Sequence, residues 1–378
     1  MKVVVSRNDL LRGITTVQSA VAAKNTMPIL ANVLLEAKDQ RFEFVATDLD
    51  MGIRMSVPAE VVGKGSITIN ARKLSDIFRE LPDSVVDLET DDNQKLSIVC
   101  QKSQFKIHGL PKDDFPILPE VKKDKSFKVK ASLLQEMIRK TSFAVSTDET
   151  RYILNGVLFQ IEGGKARMVA TDGHRLAFIQ KKLEVKSEEK SSLIIPTKAL
   201  NEVSKVISDL LKGKEKEENK ENELVVEISA TENQVKFVIS GVEIVSRLIE
   251  GQFPNYEQVI PKESTKKLEI STAEFSAATR RVSILASEKS NSVRYKFSQG
   301  KVTISANTPD MGEAKEEFEI PYNDEELQIA FNSKYVLDVL KNIGTEKMFV
   351  ELTQPLNPGV FKPSDDQDYL CVIMPMRV

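Results

Sequence analysis

The sequence predicts an α+β protein built from three copies of one unit, each with two helices packed on antiparallel sheets. The first observation is that a strand followed by an amphipathic helix occurs three times, beginning at Val3, Phe127 and Leu268. The second observation is that another helix and further alternating strands follow each time at a similar spacing. Internal repetition with such a long period indicates tandem copies of one domain.

The first helix of each copy has a single apolar face. Its core positions are separated by four, three and four residues, which brings them to one side of a helix. In chain order the three sets are Leu10, Ile14, Val17 and Val21; Leu134, Ile138, Thr141 and Val145; and Phe275, Thr279, Val282 and Ala286. We expect this face to be buried in every copy.

The second helix recurs in the same way. Its core positions are Leu74, Ile77, Phe78 and Leu81; Leu200, Val203, Ser204 and Ile207; and Val336, Val339, Leu340 and Ile343. Asn70 and Asn332 precede two of these helices, where a side chain can cap the first free N–H groups. Thr197 is the candidate cap of the middle helix.

The segments between the helices are predicted to be strands, because two of them reappear at one separation. Ile29–Leu35 resembles Ile153–Phe159, and Ala46-Thr47-Asp48 returns as Ala170-Thr171-Asp172. A Phe-Pro pair closes each of the first two copies, at 115–116 and 253–254. From the repeat we place the domains at residues 1–123, 124–264 and 265–378.

The chain carries no signal for export or membrane insertion. At 378 residues it is long enough for two or three domains. Its two cysteines form no paired motif, its start turns polar within a few residues, and no long apolar run occurs. These features argue against a zinc ribbon, a disulfide-stapled secreted domain and a membrane span. We therefore expect a cytoplasmic protein that does not contact a membrane.

Catalytic chemistry finds little support in the residues. The chain has two histidines, His108 and His174, and none of the P-loop, dinucleotide-binding, nucleophile-elbow or zinc-protease motifs. We predict a binding protein with no catalytic residue, cofactor or metal. The alternative is a metal-dependent hydrolase that uses Asp48, Asp50 and Asp172, although the second carboxylate of Asp48-Leu49-Asp50 has no counterpart after Asp172.

The helices share a positive charge although the whole chain has a net charge of −3. Each of the six predicted helices has a positive net charge, so the rest of the chain has a negative net charge. This distribution favours a polyanionic partner that faces the helices. Six helices spaced by ~8–10 Å would enclose a hole of roughly 15–19 Å, too narrow for a DNA duplex. Twelve helices would enclose about 30–38 Å, which predicts a ring of two chains closed head to tail.

A run rich in Lys and Glu follows the second helix of the middle copy, at residues 212–223. Such a mixed-charge run cannot bury an apolar face. We expect a solvated loop there rather than an interaction tail.

Several motifs resemble those of a known family, the bacterial β sliding clamps, which are processivity subunits of DNA polymerase III. The resemblance covers the whole chain. The segments that carry it are Ala170–Ala177, Arg151–Gly156, Gly251–Tyr256 and Met374–Val378.

This resemblance implies a homodimeric ring of six similar domains, with helices inside and antiparallel sheets outside. Such a ring encircles double-stranded DNA independently of sequence and is loaded by an ATP-driven clamp loader. It confers processivity on the replicative polymerase, and it tethers polymerases and repair proteins that carry short clamp-binding peptides. It does no chemistry of its own.

The family's peptide-binding cleft is expected between the second and third copies. Carried over by motif, its residues are Leu154, Thr171, Gly173, His174, Arg175, Leu176, Pro254, Val259, Asn332, Tyr335, Val372, Ile373, Met374, Pro375, Met376 and Arg377. A short peptide needs apolar pockets with a few polar anchors, and methionines can adapt to related peptides. Gln258 stands where the family often has Arg, and Ser290 stands where it can have an aromatic residue.

The same resemblance implies two further surfaces. The DNA-binding residues would be Lys24, Arg72, Lys73, Arg139, Tyr152 and Lys198, with contacts to phosphate because a clamp must slide. The dimer interface would include Phe105 in the first copy of one chain and Ile284 and Leu285 in the third copy of the other chain. Lys102 would lie near Glu313 or Glu316 across the same interface.

Plainer interpretations stay open for several of these residues. Asp172-Gly173 is also a good hairpin turn, since Gly allows a positive φ. Val372–Pro375 is also a buried final strand, and Tyr152 either stacks on a base or covers a sheet. A repeat scaffold that binds peptides but not DNA is the second functional alternative.

Overall fold

The computed structural model describes residues 1–22, 27–121, 126–183, 190–214 and 223–377. Helices occur at all the predicted places. They are α1 (Arg7–Val17), α2 (Ala71–Glu80), α3 (Ala131–Thr141), α4 (Thr197–Lys214), α5 (Thr272–Val282) and α6 (Ser333–Ile343). Among the described residues, no helix combines the length and apolar character that crossing a bilayer requires.

The strands fill the segments between the helices. In chain order they are β1 (Lys2–Ser6), β2 (Asn32–Lys38), β3 (Arg41–Thr47), β4 (Met51–Pro58), β5 (Glu60–Gly63), β6 (Gly65–Asn70), β7 (Val85–Thr90), β8 (Lys95–Cys100), β9 (Ser103–His108), β10 (Ser126–Lys130), β11 (Gly156–Glu162), β12 (Lys165–Thr171), β13 (Arg175–Lys182), β14 (Ser191–Pro196), β15 (Val225–Ala230), β16 (Gln234–Ile239), β17 (Val242–Arg247), β18 (Lys266–Ser271), β19 (Ser292–Ser298), β20 (Lys301–Thr308), β21 (Gly312–Glu319), β22 (Leu327–Asn332), β23 (Lys347–Leu352), β24 (Gly359–Pro363) and β25 (Tyr369–Ile373).

The contacts divide the chain into two compact units. Unit 1 comprises residues 1–135 and 198–248, and unit 2 comprises residues 136–197 and 249–378. Unit 1 contains a five-stranded sheet, β5-β1-β7-β8-β9, and an eight-stranded sheet, β10-β15-β16-β17-β4-β3-β2-β6. Unit 2 contains an eight-stranded sheet, β14-β11-β12-β13-β25-β24-β23-β18, and a four-stranded sheet, β21-β20-β19-β22.

Each eight-stranded sheet joins two of the predicted copies through one antiparallel strand pair. In unit 1, β17 of the middle copy pairs with β4 of the first copy, and Ile244 lies opposite Ile53. In unit 2, β25 of the third copy pairs with β13 of the middle copy, and Cys371 lies opposite Ala177. The middle copy therefore contributes strands to both units. The boundaries proposed from the repeat, one of which (Lys123) lies outside the described residues, stay a prediction.

The predicted helix faces are mostly buried, with Val21, Ile77, Val145 and Ser204 half-buried, and two of the three predicted caps are present. Leu10, Ile14 and Val17 are fully buried on α1, which packs beside α2 in unit 1. The side chains of Asn70 and Asn332 accept hydrogen bonds from backbone N–H groups in the first turns of α2 and α6. These contacts satisfy donors that a helix start leaves free.

The prediction for Thr197 was wrong. The α4 helix begins at Thr197 itself, so this residue lies inside the first turn. Its hydroxyl donates a hydrogen bond of 2.7 Å to the carbonyl oxygen of Asn155. The side chain thus links the helix to the segment that precedes β11.

Candidate functional site

A small apolar cavity of about 120 Å³ lies in unit 2, beside the β13–β25 pair. Its lining brings together residues that are far apart in the chain. They are Leu154, Thr171, Gly173, Arg175, Leu176, Pro254, Tyr256, Val259, Val372 and Met374. All of these except Tyr256 belong to the cleft predicted from the resemblance.

The floor of the cavity is part of the core of the eight-stranded sheet. Leu176 on β13 lies opposite Val372 on β25, and both are almost fully buried. They pack in one hydrophobic cluster with Leu158, Phe253 and further apolar residues. A floor made of packed core residues gives the cavity a fixed shape.

The β12–β13 turn forms the polar rim of the cavity. Gly173 has a φ of +87°, a conformation that favours glycine. The Oδ1 atom of Asp172 accepts hydrogen bonds of 2.9 Å from the backbone N–H groups of His174 and Arg175. The hydroxyl of Thr171 donates to the carbonyl of Arg175 at 2.6 Å. Asp172-Gly173 is therefore a tight turn as well as part of the rim.

Arg175 is a nearly buried charged side chain at the site, with only 10% of it exposed. Its Nε lies 3.0 Å from Asp172 Oδ2, its Nη1 lies 2.6 Å from Asp338 Oδ2, and its Nη2 donates to the carbonyl of Phe143 at 2.7 Å. The guanidinium also lies 4.6 Å from the ring centre of Tyr335 and 5.5 Å from that of Phe143. Charge-assisted bonds and cation–π contacts of this kind hold an arginine in one position.

Two aromatic rings continue the wall of the site. His174 and Tyr335 stack with ring centres 6.3 Å apart. Burial, together with the negative charge of Asp172, raises the pKa of the Tyr335 hydroxyl. The phenol therefore stays a neutral hydrogen-bonding group at physiological pH.

The C-terminal segment closes the opposite side. Ile373 is fully buried on β25, and Met374 and Met376 are partly exposed beyond it. The backbone N–H of Met374 donates to the carbonyl of His174, and that of Met376 donates to Ala330, both at 2.8 Å. The final strand is therefore both a core strand and a wall of the cavity.

The remaining predicted cleft residues lie outside the cavity lining. They are His174, Asn332, Tyr335, Ile373, Pro375, Met376 and Arg377. Asn332 caps α6, and Arg377 is exposed.

Sequence reasoning missed Tyr256, which lies between two hollows. It lines the cavity and also a second depression with Phe178 and Ile260. Its hydroxyl donates to Gln160 Oε1 at 3.2 Å, and burial raises its pKa. Its place three residues after Phe253 was the available signal, because Phe115 and Leu118 repeat that spacing.

The predicted DNA-binding residues are mostly exposed. Arg72 and Lys73 project from the first turn of α2, and Arg139 is exposed on α3. None of the three forms an ion pair with any residue of the described ranges. Lys198 pairs with Asp48, and Tyr152 is 58% exposed. Lys24 lies outside the described residues.

The predicted interface residues are also at the surface. Phe105 on β9 is 37% exposed and Ile284 is 71% exposed, which are high values for large apolar side chains. Leu285 follows in the same short helical turn and accepts a hydrogen bond from Thr308. Glu316 pairs with Arg281 of its own chain.

Two of the three carboxylates of the hydrolase alternative, those of Asp48 and Asp172, have structural partners. The Oδ1 atom of Asp48 caps the β3–β4 turn by accepting hydrogen bonds from the backbone of Asp50 and Met51. Asp172 caps the equivalent β12–β13 turn. These aspartates thus shape two equivalent turns, which gives them a role without metal chemistry.

Tandem α+β copies joined by continuous sheets, with an apolar cavity at the second join, define a three-domain clamp fold. The family descriptions "DNA polymerase III beta subunit" match residues 1–119 for the N-terminal domain, 128–255 for the central domain and 257–377 for the C-terminal domain. The "Beta sliding clamp" of Chlamydia pneumoniae is 34% identical over 378 residues, 100% of this chain and 99% of that protein. The chain therefore belongs to the DNA polymerase III beta subunit family, the beta sliding clamps.

Solved structures agree over the full length. The sliding clamp of Pseudomonas aeruginosa bound to griselimycin superposes with a TM-score of 0.93 at 33% identity, covering 100% of both chains. The sliding clamp of Bartonella birtlesii bound to griselimycin has a TM-score of 0.93 at 34% identity, again covering 100% of both chains. These similarities confirm the family and the three-copy α+β fold predicted from the sequence.

Proposed function

We propose that the chain is a sliding clamp that encircles duplex DNA as a homodimer and confers processivity on the replicative DNA polymerase. The observation that carries this proposal is the apolar cavity with a fixed arginine at its rim, in a chain of the sliding-clamp family. The protein tethers its partners and does no chemistry. Clamp loader, polymerases and repair proteins are the proposed partners, and the cytoplasm is the proposed location.

The cavity is the proposed docking site for clamp-binding peptides. An apolar slot with a few polar groups at its rim suits a short peptide that places one or two apolar side chains inside. Leu176 and Val372 form the floor, Met374 forms an adaptable wall, and Arg175 offers a charged edge. We propose that griselimycin also binds this chain in the cavity.

The exposed cations are the proposed DNA contacts. Arg72, Lys73 and Arg139 can meet phosphates because no described carboxylate neutralises them. Lys198 would exchange Asp48 for a phosphate, and the exposed ring of Tyr152 would contact the backbone or a base. Phosphate contacts bind any sequence and weaken steeply with salt, as a sliding protein requires.

The proposed dimer interface follows from the strand pairs that join the copies. The β17–β4 and β25–β13 pairs join consecutive copies within one chain. In the repeat, β9 is the equivalent of β17 and β25, and β21 is the equivalent of β4 and β13. Within the part of the chain that the structure describes, neither β9 nor β21 takes part in such a join. Both are edge strands, and an unpaired edge is a template for another strand. We propose that β9 of one chain pairs antiparallel with β21 of the other.

The repeat also predicts the register of that pair. In the two joins, Ile244 lies opposite Ile53 and Cys371 lies opposite Ala177. Phe105 is the residue of β9 that matches Ile244 and Cys371, and Ala314 is the residue of β21 that matches Ile53 and Ala177. With these two opposite, Lys106 would face Glu313, which is a favourable cross-strand ion pair. Phe105 would lie on the side of β21 from which Ile284 and Leu285 project. In this register Lys102 would lie near Glu316 rather than near Glu313, and Glu316 also pairs with Arg281 of its own chain.

The first experiment combines light scattering with retention on circular DNA. We expect a particle of twice 42.3 kDa that stays on nicked circular DNA after clamp-loader treatment and is released when the circle is linearised. Release from circular and linear DNA at the same rate would overturn the ring. Peptide binding by a monomer would favour the scaffold alternative.

A charge reversal tests the proposed register. Lys106→Glu should shift the dimer toward monomer on dilution, and adding Glu313→Lys should restore the dimer. Lys128→Glu, an exposed cation on the edge strand β10, is the matched control and should leave the dimer intact. A dimer weakened equally by the single and the double variant would exclude this register.

A further inference from the structure

We infer that Asp338, on α6, is a positioning residue of the peptide cleft and acts by fixing the guanidinium of Arg175. The inference rests on the proposed function of the cavity in unit 2. Asp338 does not line that cavity, but its carboxylate lies 2.6 Å from Arg175 Nη1.

The three copies show that this contact is special to the third. Each second helix carries an acidic residue at the same position and a basic residue three places later, which are Asp76 and Arg79, Glu202 and Lys205, and Asp338 and Lys341. In the first two copies the pair closes within the helix, with distances of 3.8 Å. Such an (i, i+3) pair contributes little on an exposed helix. In the third copy the carboxylate bonds instead to Arg175 of the middle copy.

The geometry explains what this contact does. Asp172 and Phe143 hold Arg175 from its own copy, whereas Asp338 holds it from the helix that also carries Tyr335. Asp338 and Tyr335 are three residues apart, so they lie on the same side of α6. The carboxylate therefore keeps the guanidinium 4.6 Å from the Tyr335 ring, where it forms one wall of the cavity.

Loss of this carboxylate should loosen the wall without removing any group that contacts the ligand. Arg175 would keep its bonds to Asp172 and Phe143 but would no longer be tied to α6. A ligand would then have to order the arginine when it binds, which lowers affinity. We expect griselimycin to bind Asp338→Asn roughly tenfold more weakly, since one charge-assisted bond is lost.

The test compares two matched variants of the full-length protein by calorimetric titration with griselimycin. Asp76→Asn removes the equivalent carboxylate of the first copy, with similar exposure, 54% against 47%. We expect Asp338→Asn to weaken binding and Asp76→Asn to leave it unchanged, while Asp338→Glu restores part of the affinity. Equal affinity in wild type and Asp338→Asn would overturn the inference.

A second readout separates positioning from general stability. The Nη1–H NMR signals of Arg175, whose nitrogen contacts Asp338, should show slow hydrogen exchange in the wild type and faster exchange in Asp338→Asn, with no change in Asp76→Asn. In an Arg175→Lys background, Asp338→Asn should add much less to the loss of affinity, because both changes act on one contact. Full additivity would contradict the inference.

The outcomes also distinguish this inference from the proposed function. A wild-type protein that does not bind griselimycin would count against the proposed cleft. The exchange of the Arg175 signal would still report whether Asp338 holds the arginine. Unchanged exchange in Asp338→Asn would refute the positioning role by itself.

Discussion

The cavity of unit 2 has a counterpart at the same place in unit 1, and the two differ in chemistry more than in backbone. The counterpart, which we call the first-join groove, has a volume of about 270 Å³ beside the β17–β4 pair. The matching positions, groove first, are Thr47 and Thr171, Leu49 and Gly173, Met51 and Arg175, Gly52 and Leu176, Pro116 and Pro254, Leu118 and Tyr256, Val245 and Val372, and Arg247 and Met374.

The backbone of the two turns is nearly the same. Leu49 has a φ of +81° and Gly173 a φ of +87°. Asp48 and Asp172 cap the two turns with the same pattern of hydrogen bonds. The repeat therefore provides one frame, which both joins use.

The side chains set on this frame differ at the points that decide binding. In the groove, Leu118 occupies the space beside Gly52, since a Cβ added there would lie 2.1 Å from Leu118 Cδ2. The polar Arg247 replaces Met374, and Met51 replaces Arg175. The comparison teaches that a few side chains make one join a small apolar slot and the other a larger groove in which Leu118 and Arg247 take the places of Tyr256 and Met374.

The largest expected effect comes from giving the cavity the residue of the groove. Arg175→Met should weaken griselimycin binding at least about a hundredfold and lower the free energy of unfolding by roughly 3 kcal/mol. The reason is that Asp172, with 11% of its side chain exposed, loses the cation that balances its charge. Calorimetric titration and urea unfolding measure the two effects.

Arg175→Lys serves as the control for charge. It keeps the positive charge but cannot make the forked contacts to Asp172 and Asp338, so we expect an intermediate loss of affinity. Unchanged affinity in Arg175→Met would show that the arginine is not part of the binding wall.

Much of the fold could be predicted because it depends on local patterns. The apolar periodicity of α1, α3 and α5 and the asparagines before α2 and α6 are written in short stretches of sequence. The repeat strengthened each of these signals threefold. Thr197 failed as a cap because the helix begins at Thr197 itself, one residue earlier than the prediction requires, and its hydroxyl instead donates to the carbonyl of Asn155, 42 residues away in the chain.

The parts of the site that escaped prediction depend on contacts between distant segments. The carbonyl oxygen of Phe143 binds Arg175 through the backbone, which leaves no mark in the sequence. Asp338 looks like an ordinary member of an exposed helical pair until the fold brings Arg175 beside it. Nothing local distinguishes it from Asp76.

The two joins should also differ in acid sensitivity. Near the β13–β25 pair, Asp366 accepts hydrogen bonds from Lys181 at 2.9 Å and Lys140 at 3.2 Å. Burial opposes ionisation of Asp366, but these lysines outweigh it, so the pKa of the carboxyl is lowered on folding. A lowered pKa adds stability that is complete above the ordinary pKa and is lost as the pH falls through the folded value.

We therefore expect Asp366→Asn to lower the free energy of unfolding by about 1–2 kcal/mol at pH 7 and by less as the pH falls below about 4. Urea unfolding at a series of pH values measures this difference. Glu243→Gln, which removes the partner of Arg54 at the β17–β4 join, is the control. The carboxylate there is more exposed, so we expect a smaller effect at pH 7. A constant difference across the pH range would mean that Asp366 titrates normally.

The smallest expected effect concerns backbone strain at Leu49 in the groove, which Gly173 at the matching position of the cavity does not have. Leu49 adopts the left-handed backbone that glycine occupies at position 173, and this costs a leucine about 1–2 kcal/mol. Leu49 is 46% exposed, so its side chain returns little burial energy. Leu49→Gly relieves this strain and so stabilises the folded protein. The greater freedom of glycine in the unfolded chain offsets part of that effect, which leaves a net increase of about 0.5 kcal/mol in the free energy of unfolding. Gly173→Ala should do the opposite, because the same backbone would then carry a Cβ 3.3 Å from Arg151 Nη1. Urea unfolding of both variants would measure the pair, and a destabilised Leu49→Gly would mean that contacts of the leucine outweigh its strained backbone.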